Sequence, residues 1–130
     1  LDASRDWGYA PEYVYGMYKM LQHDKADSFV LATNKSYTVR QFAEFAFSVV
    51  GIEIKWEGSG VSEIGVDKKN GKTIVKVNKD HFRLAEVDAL IGDYSKAEKE
   101  LGWVPNTKIQ EMCKIMVESD INALKTNLKN

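Results

Sequence analysis

Three short motifs mark helix starts along the chain and constrain its fold more than any other feature. Each has a Ser or Thr three residues before a Glu or Gln: Thr38 and Gln41, Ser95 and Glu98, Thr107 and Gln110. In such a capping box each side chain accepts a hydrogen bond from the other residue's backbone N–H, which fixes the first turn of a helix. The motifs therefore predict helices that begin near residues 38, 95 and 107.

Apolar spacing predicts a further helix and three strands. Pro11 suits a first helical turn, and a stripe with helical spacing follows it, so we expect an amphipathic helix over residues 10–22; the stripe is Val14, Met17, Tyr18 and Leu21. The short apolar run 29–32 is typical of a buried strand in a parallel sheet. Apolar and polar residues alternate over 52–56, as they do in a half-exposed strand, and residues 57–65 are predicted to be a loop. The Asn70-Gly71 dipeptide predicts a turn before a strand over 72–77. The chain is thus predicted to be α/β.

The last predicted helix runs from about residue 107 to 124 and is followed by a tail at 125–130. One face of it carries apolar side chains: Ile109, Met112, Cys113, Met116 and Val117. Thioether and thiol groups on such a stripe are more often core packing than chemistry. We therefore assign Cys113 to the core.

Composition excludes several classes of function. The chain has 130 residues, of which 44% are hydrophobic, which suits one soluble globular domain. Eighteen basic and nineteen acidic residues leave a net charge of −1, so we expect neither nucleic acid nor a membrane surface as a partner. A single cysteine excludes an internal disulfide and suits a reducing, cytoplasmic location, and two histidines far apart in sequence argue against a zinc site.

Arg83 and Glu86 lie in a stretch, residues 80–93, that could hold a nucleotide sugar, and Arg83 is part of a short apolar run there. A guanidinium is a planar fork of donors suited to a diphosphate, and a carboxylate supplies the acceptors that a ribose diol needs. Arg83 could equally pair with Glu86 or Asp88 in a structural salt bridge. The residues by themselves leave both interpretations open.

Two apparent motifs are interpreted as chance matches. Tyr15 and Lys19 have the Tyr-x-x-x-Lys spacing of short-chain dehydrogenases, in which the lysine lowers the tyrosine pKa, but no catalytic Ser or Thr can be tied to them. Gly58 and Gly60 start a Gly-x-Gly pattern, but Glu63 occupies the third glycine position of a dinucleotide-binding loop. We predict that neither motif carries chemistry.

A series of blocks, read in order, resembles the C-terminal half of the GDP-mannose 4,6-dehydratase family. The blocks are Arg5-Asp-Trp-Gly-Tyr-Ala-Pro-Glu-Tyr-Val14, Phe29-Val-Leu-Ala-Thr33, Tyr37-Thr-Val-Arg-Gln-Phe42, Gly51-Ile-Glu-Ile-Lys-Trp-Glu-Gly58, Phe82-Arg-Leu-Ala-Glu-Val-Asp88, Gly92-Asp-Tyr-Ser-Lys-Ala97 and Leu101-Gly-Trp103. They extend over most of the chain, to about residue 120. Leu1 in place of an initiating Met agrees with a part of a longer protein.

The resemblance implies a fold, a reaction and a set of contacts. The fold is the substrate-binding part of an extended short-chain dehydrogenase/reductase, without most of the Rossmann sheet. The reaction is the NADP-dependent conversion of GDP-mannose to GDP-4-keto-6-deoxymannose, with the cofactor and the catalytic groups in the N-terminal half. Arg5 and Arg83 match diphosphate-binding positions and Glu86 a ribose-binding position, although Glu86 stands where many relatives have Asp. This chain alone is expected to be inactive and to bind no NADP.

Further expectations concern organisation and partners. Residues 1–36 are expected to end the Rossmann-side region, and residues 37–124 to form the substrate-binding subdomain. The missing half would pack on Trp7, Phe29 and Phe82, and the enzyme would be a homo-oligomer. The alternatives are another epimerase or reductase of the same superfamily, or a non-catalytic nucleotide-sugar-binding module.

Overall fold

A computed structural model describes residues 1–82 and 89–127. Four α-helices lie within these ranges: α1 (Ala10–Leu21), α2 (Val39–Ser48), α3 (Ser95–Leu101) and α4 (Ile109–Asn127). The strands are β1 (Ser4–Arg5), β2 (Tyr37–Thr38), β3 (Ile54–Glu57), β4 (Ile64–Asp67) and β5 (Thr73–Lys76). The predicted mixed α/β class, with helices and short strands, is confirmed.

The described strands form two small antiparallel sheets. β1 pairs with β2, with Arg5 opposite Tyr37, and β3, β4 and β5 follow one another in a second sheet. A single parallel bridge joins Ser4 to Ala89. The predicted strand at 29–32 is wrong, because this segment has no ladder partner in the described parts of the chain. Its apolar side chains serve packing instead, since Ala32 is buried and Phe29 and Leu31 contact a core cluster.

Helix α2 begins as its sequence predicts. The Gln41 N–H donates to Thr38 Oγ1 at 3.1 Å, and the Thr38 N–H donates to Gln41 Oε1 at 2.9 Å, so the capping box is complete. Gly51 lies just beyond the helix with φ of 72°, a left-handed conformation that glycine adopts without steric cost.

The other two capping boxes are not formed as predicted. Ser95 is the first residue of α3, and both its hydroxyl and its N–H donate to Asp93, with no side-chain cap on the helix. Helix α4 begins at Ile109, and the Thr107 hydroxyl donates to Glu12 Oε1 at 2.9 Å. In both cases a carboxylate accepts the backbone N–H that the Glu98 or Gln110 side chain would accept in a capping box.

The predicted turn at Asn70-Gly71 joins two strands, of which β4 was not expected because residues 57–65 were assigned to a loop. The Gly71 N–H donates to Asp67 O at 2.8 Å, and Gly71 has φ of 71°. Gly65 lies inside β4, where a β-carbon would lie 2.9 Å from Ile54 and 3.0 Å from Trp56. A glycine in a strand usually weakens a strand prediction, but here it allows close packing.

Two clusters of buried side chains form the core. The first packs α3 and the following link against α1, and its buried members are Ala97, Leu101 and Trp103. The second packs α4 against α2, and its buried members are Ile109, Met112 and Cys113. Burial raises the pKa of the Cys113 thiol, which agrees with its assignment to the core. Met116, predicted on the same face, is 47% exposed.

The predicted apolar stripe of α1 faces outward. Its members are more than half exposed: Val14, Met17, Tyr18 and Leu21. The opposite side of the helix contacts the core through Tyr13 and Met20. Trp7 and Phe29, which were expected to be exposed, are instead partly buried against the two clusters, while Phe82 is 40% exposed.

Within the described ranges, no helix combines the length and apolar character needed to cross a membrane.

Candidate functional site

Of the three predicted contact residues, Arg5 is described, and Arg83 and Glu86 lie outside the described residues. Arg5 is the second residue of β1 and is partly buried. Its Nη1 donates to the Ser4 carbonyl oxygen at 2.8 Å, which folds the guanidinium back along the strand. The position of the Arg5 guanidinium therefore depends on the position of β1.

Strand β1 has neighbours on both sides. β2 lies on one side, and on the other Ala89 bridges to Ser4 and the Leu90 N–H donates to Ser4 O at 3.2 Å. Ala89 is the residue that directly follows positions 83–88. The chain leaving the Arg83 and Glu86 block thus runs beside the strand that carries Arg5.

Asp6 connects this strand to two other segments. Its Oδ1 accepts hydrogen bonds from the Thr33 N–H at 2.9 Å and from Thr33 Oγ1 at 2.6 Å. Its Oδ2 lies 3.0 Å from the same N–H and accepts from the Gly92 N–H at 3.3 Å. A β-carbon on Gly92 would lie 2.4 Å from that of Ala32, so glycine is needed where these segments approach. The sequence patterns do not single out Asp6, although it lies in the first block of the resemblance.

The next two residues of that block have packing roles. The Trp7 indole N–H donates to Tyr37 O at 3.0 Å, and its ring stacks on Phe42 with centroids 4.5 Å apart. A β-carbon on Gly8 would lie 2.0 Å from the Tyr13 ring. Trp7 and Gly8 therefore fix the chain that follows Arg5 against both core clusters.

Glu12, on the first turn of α1, is a second junction that the sequence patterns miss. Its Oε1 accepts from the N–H groups of Asn106 and Thr107 at 3.1 and 3.0 Å and from the Thr107 hydroxyl. Its backbone oxygen accepts from the Trp103 indole at 2.8 Å. These contacts attach α1 to the link before α4.

Arg40 is the third arginine, and it is engaged in structural ion pairs. Its Nη2 lies 2.7 and 2.9 Å from the two carboxylate oxygens of Glu63, and its Nη1 pairs with Asp2. The hydrogen bonds that Arg40 donates to Asp2 and then to Glu63 raise the pKa of its guanidinium, and the bond to Asp2 lowers the pKa of that carboxyl. Because Glu63 is buried, this pair holds α2 against the three-stranded sheet.

Lys19 has a structural role that differs from the catalytic one its spacing suggested. Its Nζ donates to Leu101 O at 2.8 Å and lies 3.4 Å from Gly102 O, at the carboxyl end of α3. A cation is favourable there because unsatisfied carbonyl groups carry partial negative charge. Nζ also lies 5.3 Å from the Tyr15 ring centroid.

The loop that starts at Gly58 does not fit a phosphate. A β-carbon on Gly58 would lie 2.8 Å from Ser62 O, and the N–H groups of Ser62 and Glu63 donate to carbonyl oxygens within the loop. The Glu63 carboxylate gives the loop a negative charge, and the arginine near it, Arg40, is already paired with that carboxylate. Across residues 1–82 and 89–127, no group of three or more His, Cys, Asp or Glu side chains could hold a metal ion.

Comparison with known proteins identifies similar sequences over nearly the whole chain. A family model described as GDP-mannose 4,6 dehydratase matches residues 1–116. A GDP-mannose 4,6-dehydratase of Sinorhizobium fredii is 45% identical over 96% of the chain and 36% of its own length. The Homo sapiens protein named GDP-mannose 4,6 dehydratase is 42% identical over 98% of the chain and 34% of its own length. The chain thus spans about a third of these relatives.

Solved structures share the fold at low identity. RMD from Pseudomonas aeruginosa, solved with NADPH, superposes with a TM-score of 0.65 at 16% identity, over 90% of the chain and 32% of its own length. UDP-glucose 4-epimerase from Bifidobacterium longum, solved with NAD+ and UDP, superposes with a TM-score of 0.61 at 20% identity, over 88% of the chain and 29% of its own length. Both likenesses concern the fold alone.

Proposed function

Since the chain belongs to the GDP-mannose 4,6-dehydratase family, we propose that it is the C-terminal, nucleotide-sugar-binding part of an NADP-dependent enzyme that converts GDP-mannose to GDP-4-keto-6-deoxymannose. The observation that carries the proposal is the pairing of Ser4 with Ala89. This pairing places Ala89, which directly follows the 83–88 block, beside the strand that carries Arg5. In this proposal residues 1–36 end the cofactor-side region, 37–124 form the substrate-binding subdomain, and 125–130 are a tail.

The proposed division of roles follows from the chemistry of the side chains. Arg5 and Arg83 would bind the diphosphate, because guanidinium groups match phosphate oxygens with paired donors. Glu86 would accept hydrogen bonds from the ribose hydroxyls. Binding energy from GDP, remote from the reacting sugar, would hold the mannose in place for chemistry performed by groups outside this chain.

The proposal places NADP outside this chain. The Gly58 loop is closed on itself and ends in an ion-paired carboxylate, so it does not fit the cofactor phosphates. When bound, NADP would supply hydride transfer. The residues of this chain would bind and orient the substrate.

The rest of the enzyme would pack on α1. Its outward stripe is apolar and more than half exposed, and such a face in a soluble protein is usually an interface. The 29–32 segment lies next to the same cluster as α1 and has no ladder partner in the described chain, so a strand from the rest of the enzyme could pair with it.

The proposal is tested by calorimetric titration of GDP-mannose into the full-length protein. We expect Arg83→Ala and Arg5→Ala each to weaken binding by about 2 kcal/mol, as is usual for hydrogen bonds to a charged group. Lys55→Ala, which removes an exposed lysine paired with Glu57, is the control and should leave the affinity unchanged. Wild-type affinity in both arginine variants would refute the proposed contacts.

A further inference from the structure

We propose that Asn70 is a latent deamidation site: the folded turn between β4 and β5 protects it through Asp67, and opening of the turn allows its side-chain amide to be lost. Asn70-Gly71 is the only Asn-Gly dipeptide in the sequence. Asn followed by Gly is the pair most prone to this reaction, because glycine has no side chain to shield its backbone nitrogen. The proposal depends only on this turn and its two strands, so it is independent of the proposed function.

Deamidation of this dipeptide requires no reagent other than water. The backbone nitrogen of Gly71 forms a bond to Cγ of Asn70 while the Cγ–Nδ2 bond breaks, and the proton of the Gly71 N–H leaves with the amide nitrogen as ammonia. Water then opens the cyclic imide at either carbonyl, which gives aspartate or isoaspartate. The reaction therefore needs a Gly71 nitrogen that can lose its proton and an Asn70 side chain that can reach it.

The folded turn opposes both requirements. The Gly71 N–H donates to Asp67 O at 2.8 Å, so its proton is held in a hydrogen bond. Asn70 Nδ2 donates to Asp67 Oδ2 at 2.6 Å, and Asn70 Oδ1 accepts from the Lys72 N–H at 2.8 Å. Because both ends of the amide are bonded, the side chain cannot rotate towards the Gly71 nitrogen without breaking two hydrogen bonds.

Asp67 carries most of this protection. It is only 8% exposed, and its Oδ1 also accepts from the Lys69 N–H at 2.8 Å, which fixes the orientation of the carboxylate. Hydrogen bonds to a charged acceptor are stronger than those between neutral groups. The negative charge also disfavours loss of the proton from the nearby Gly71 nitrogen. Asn70 and Gly71 are themselves exposed, so water reaches the dipeptide once the turn opens.

Deamidation should prevent the turn from closing again. The new carboxylate oxygen would stand where Nδ2 now lies 2.6 Å from Asp67 Oδ2, so two acceptors of like charge would replace a donor and an acceptor. An isoaspartate would in addition lengthen the backbone between β4 and β5. The modification would therefore mark molecules in which the turn has opened, and it would loosen the three-stranded sheet in those molecules.

The experiment measures the deamidation rate of Asn70 in the full-length protein, held in mildly alkaline buffer and analysed by peptide mass spectrometry. The wild type is compared in its folded state, in urea and with the folded Asp67→Ala variant. We expect the rate in urea to exceed the folded rate by at least about tenfold, because the reaction requires the turn to open. Asp67→Ala should raise the folded rate about tenfold, since a hydrogen bond to a charged group no longer opposes opening.

Asp93→Ala is a matched control. Asp93 also accepts a hydrogen bond from the backbone N–H two residues further along, that of Ser95, but it lies outside this turn. Its replacement should leave the deamidation rate of Asn70 at the wild-type value. If Asp67→Ala does not fold, hydrogen exchange of the wild type replaces it. Exchange of the Gly71 N–H requires the same opening, so it should be slowed relative to the unfolded chain by the same factor as deamidation, within about threefold.

Three results would overturn the proposal. The first is an equal deamidation rate of the wild type in its folded state and in urea. The second is a wild-type rate in folded Asp67→Ala, or a rise as large in Asp93→Ala. The third concerns the product: Asn70→Asp should lower the melting temperature more than Asn70→Ala, because only the aspartate brings a second charge beside Asp67, and the opposite order contradicts the predicted loosening of the sheet.

Discussion

Arg40 and Glu63 form a bidentate ion pair in which Glu63 is almost fully buried. The Arg40 Nη2 contacts both carboxylate oxygens, and Nε lies 3.0 Å from Oε1. The Glu63 side chain is only 7% exposed, while that of Arg40 is 25% exposed. The pair joins α2 to the residue before β4, and so holds this helix against the three-stranded sheet.

Removing one partner of this pair should destabilise the protein strongly. Arg40→Ala would leave an uncompensated carboxylate in a buried position, which typically costs about 3 kcal/mol or more. Urea denaturation followed by tryptophan fluorescence measures the change in the free energy of unfolding. Lys55→Ala, which breaks an exposed pair with Glu57, is the control and should cost less than about 1 kcal/mol. A loss in Arg40→Ala as small as in the control would show that the Glu63 carboxylate is solvated.

Gly8 should not tolerate a side chain. A β-carbon there would lie 2.0 to 2.2 Å from atoms of the Tyr13 ring, which packs edge-on against Trp103 at 5.6 Å. The ring cannot move freely, so Gly8→Ala should destabilise by about 1 to 3 kcal/mol, as overpacking does. The same substitution in a Tyr13→Leu background should cost much less, because the clashing ring is gone. Equal costs in the two backgrounds, measured by thermal denaturation, would contradict the predicted contact.

Stability should fall in alkaline solution because of Tyr13. Burial, followed by the charges of Asp6 and Glu12, raises the pKa of Tyr13 from 10.0 to about 12. The unfolded chain therefore loses this proton first, so the stability contributed by the neutral phenol is present below pH 10 and is lost as the pH rises towards 12. Melting temperatures across this interval should fall less steeply for Tyr13→Phe than for wild type. Parallel pH profiles would exclude Tyr13 as the cause.

The exposed stripe of α1 should make this chain self-associate when it is produced alone. Met17 is 56% and Leu21 83% exposed, and burying them between copies would remove apolar surface from water. Light scattering during size-exclusion chromatography should detect oligomers that Met17→Lys/Leu21→Lys shifts towards monomer. Leu124→Lys changes a residue of α4 that is 62% exposed and should leave the oligomers intact. A compact monomer for the unmodified chain would contradict the expectation.

Features that depend on near neighbours in sequence could be predicted. The capping box of Thr38 and Gln41 is formed, α1 lies within one residue of its predicted range, and Gly102 ends α3 with φ of 59°. Cys113 is buried as its place on an apolar stripe suggested. The cap and the helix ends depend on conformations within a few residues, and the burial of Cys113 follows from the apolar periodicity of its own helix. The ordered sequence blocks identified the family in the same way, without any tertiary contact.

Features that depend on distant partners could not be predicted. Thr107 has the capping pattern, yet its backbone N–H donates to Glu12, a partner 95 positions away, and not to Gln110. The 29–32 run is apolar like a strand but has no ladder partner in the described chain. The apolar stripe of α1 predicts a helix correctly but not the direction in which it faces.

The sequence by itself determined the local elements and the family, and it indicated Arg5, Arg83 and Glu86 as candidate contacts. Only the tertiary structure decided that Asp6 joins the strand of Arg5 to Thr33 and Gly92, and that Arg40 is engaged in ion pairs with Glu63 and Asp2. The physical reason is the range of the interaction. A helix cap or turn is selected among a few neighbouring atoms, whereas a buried carboxylate takes whichever donors the folded chain brings to it.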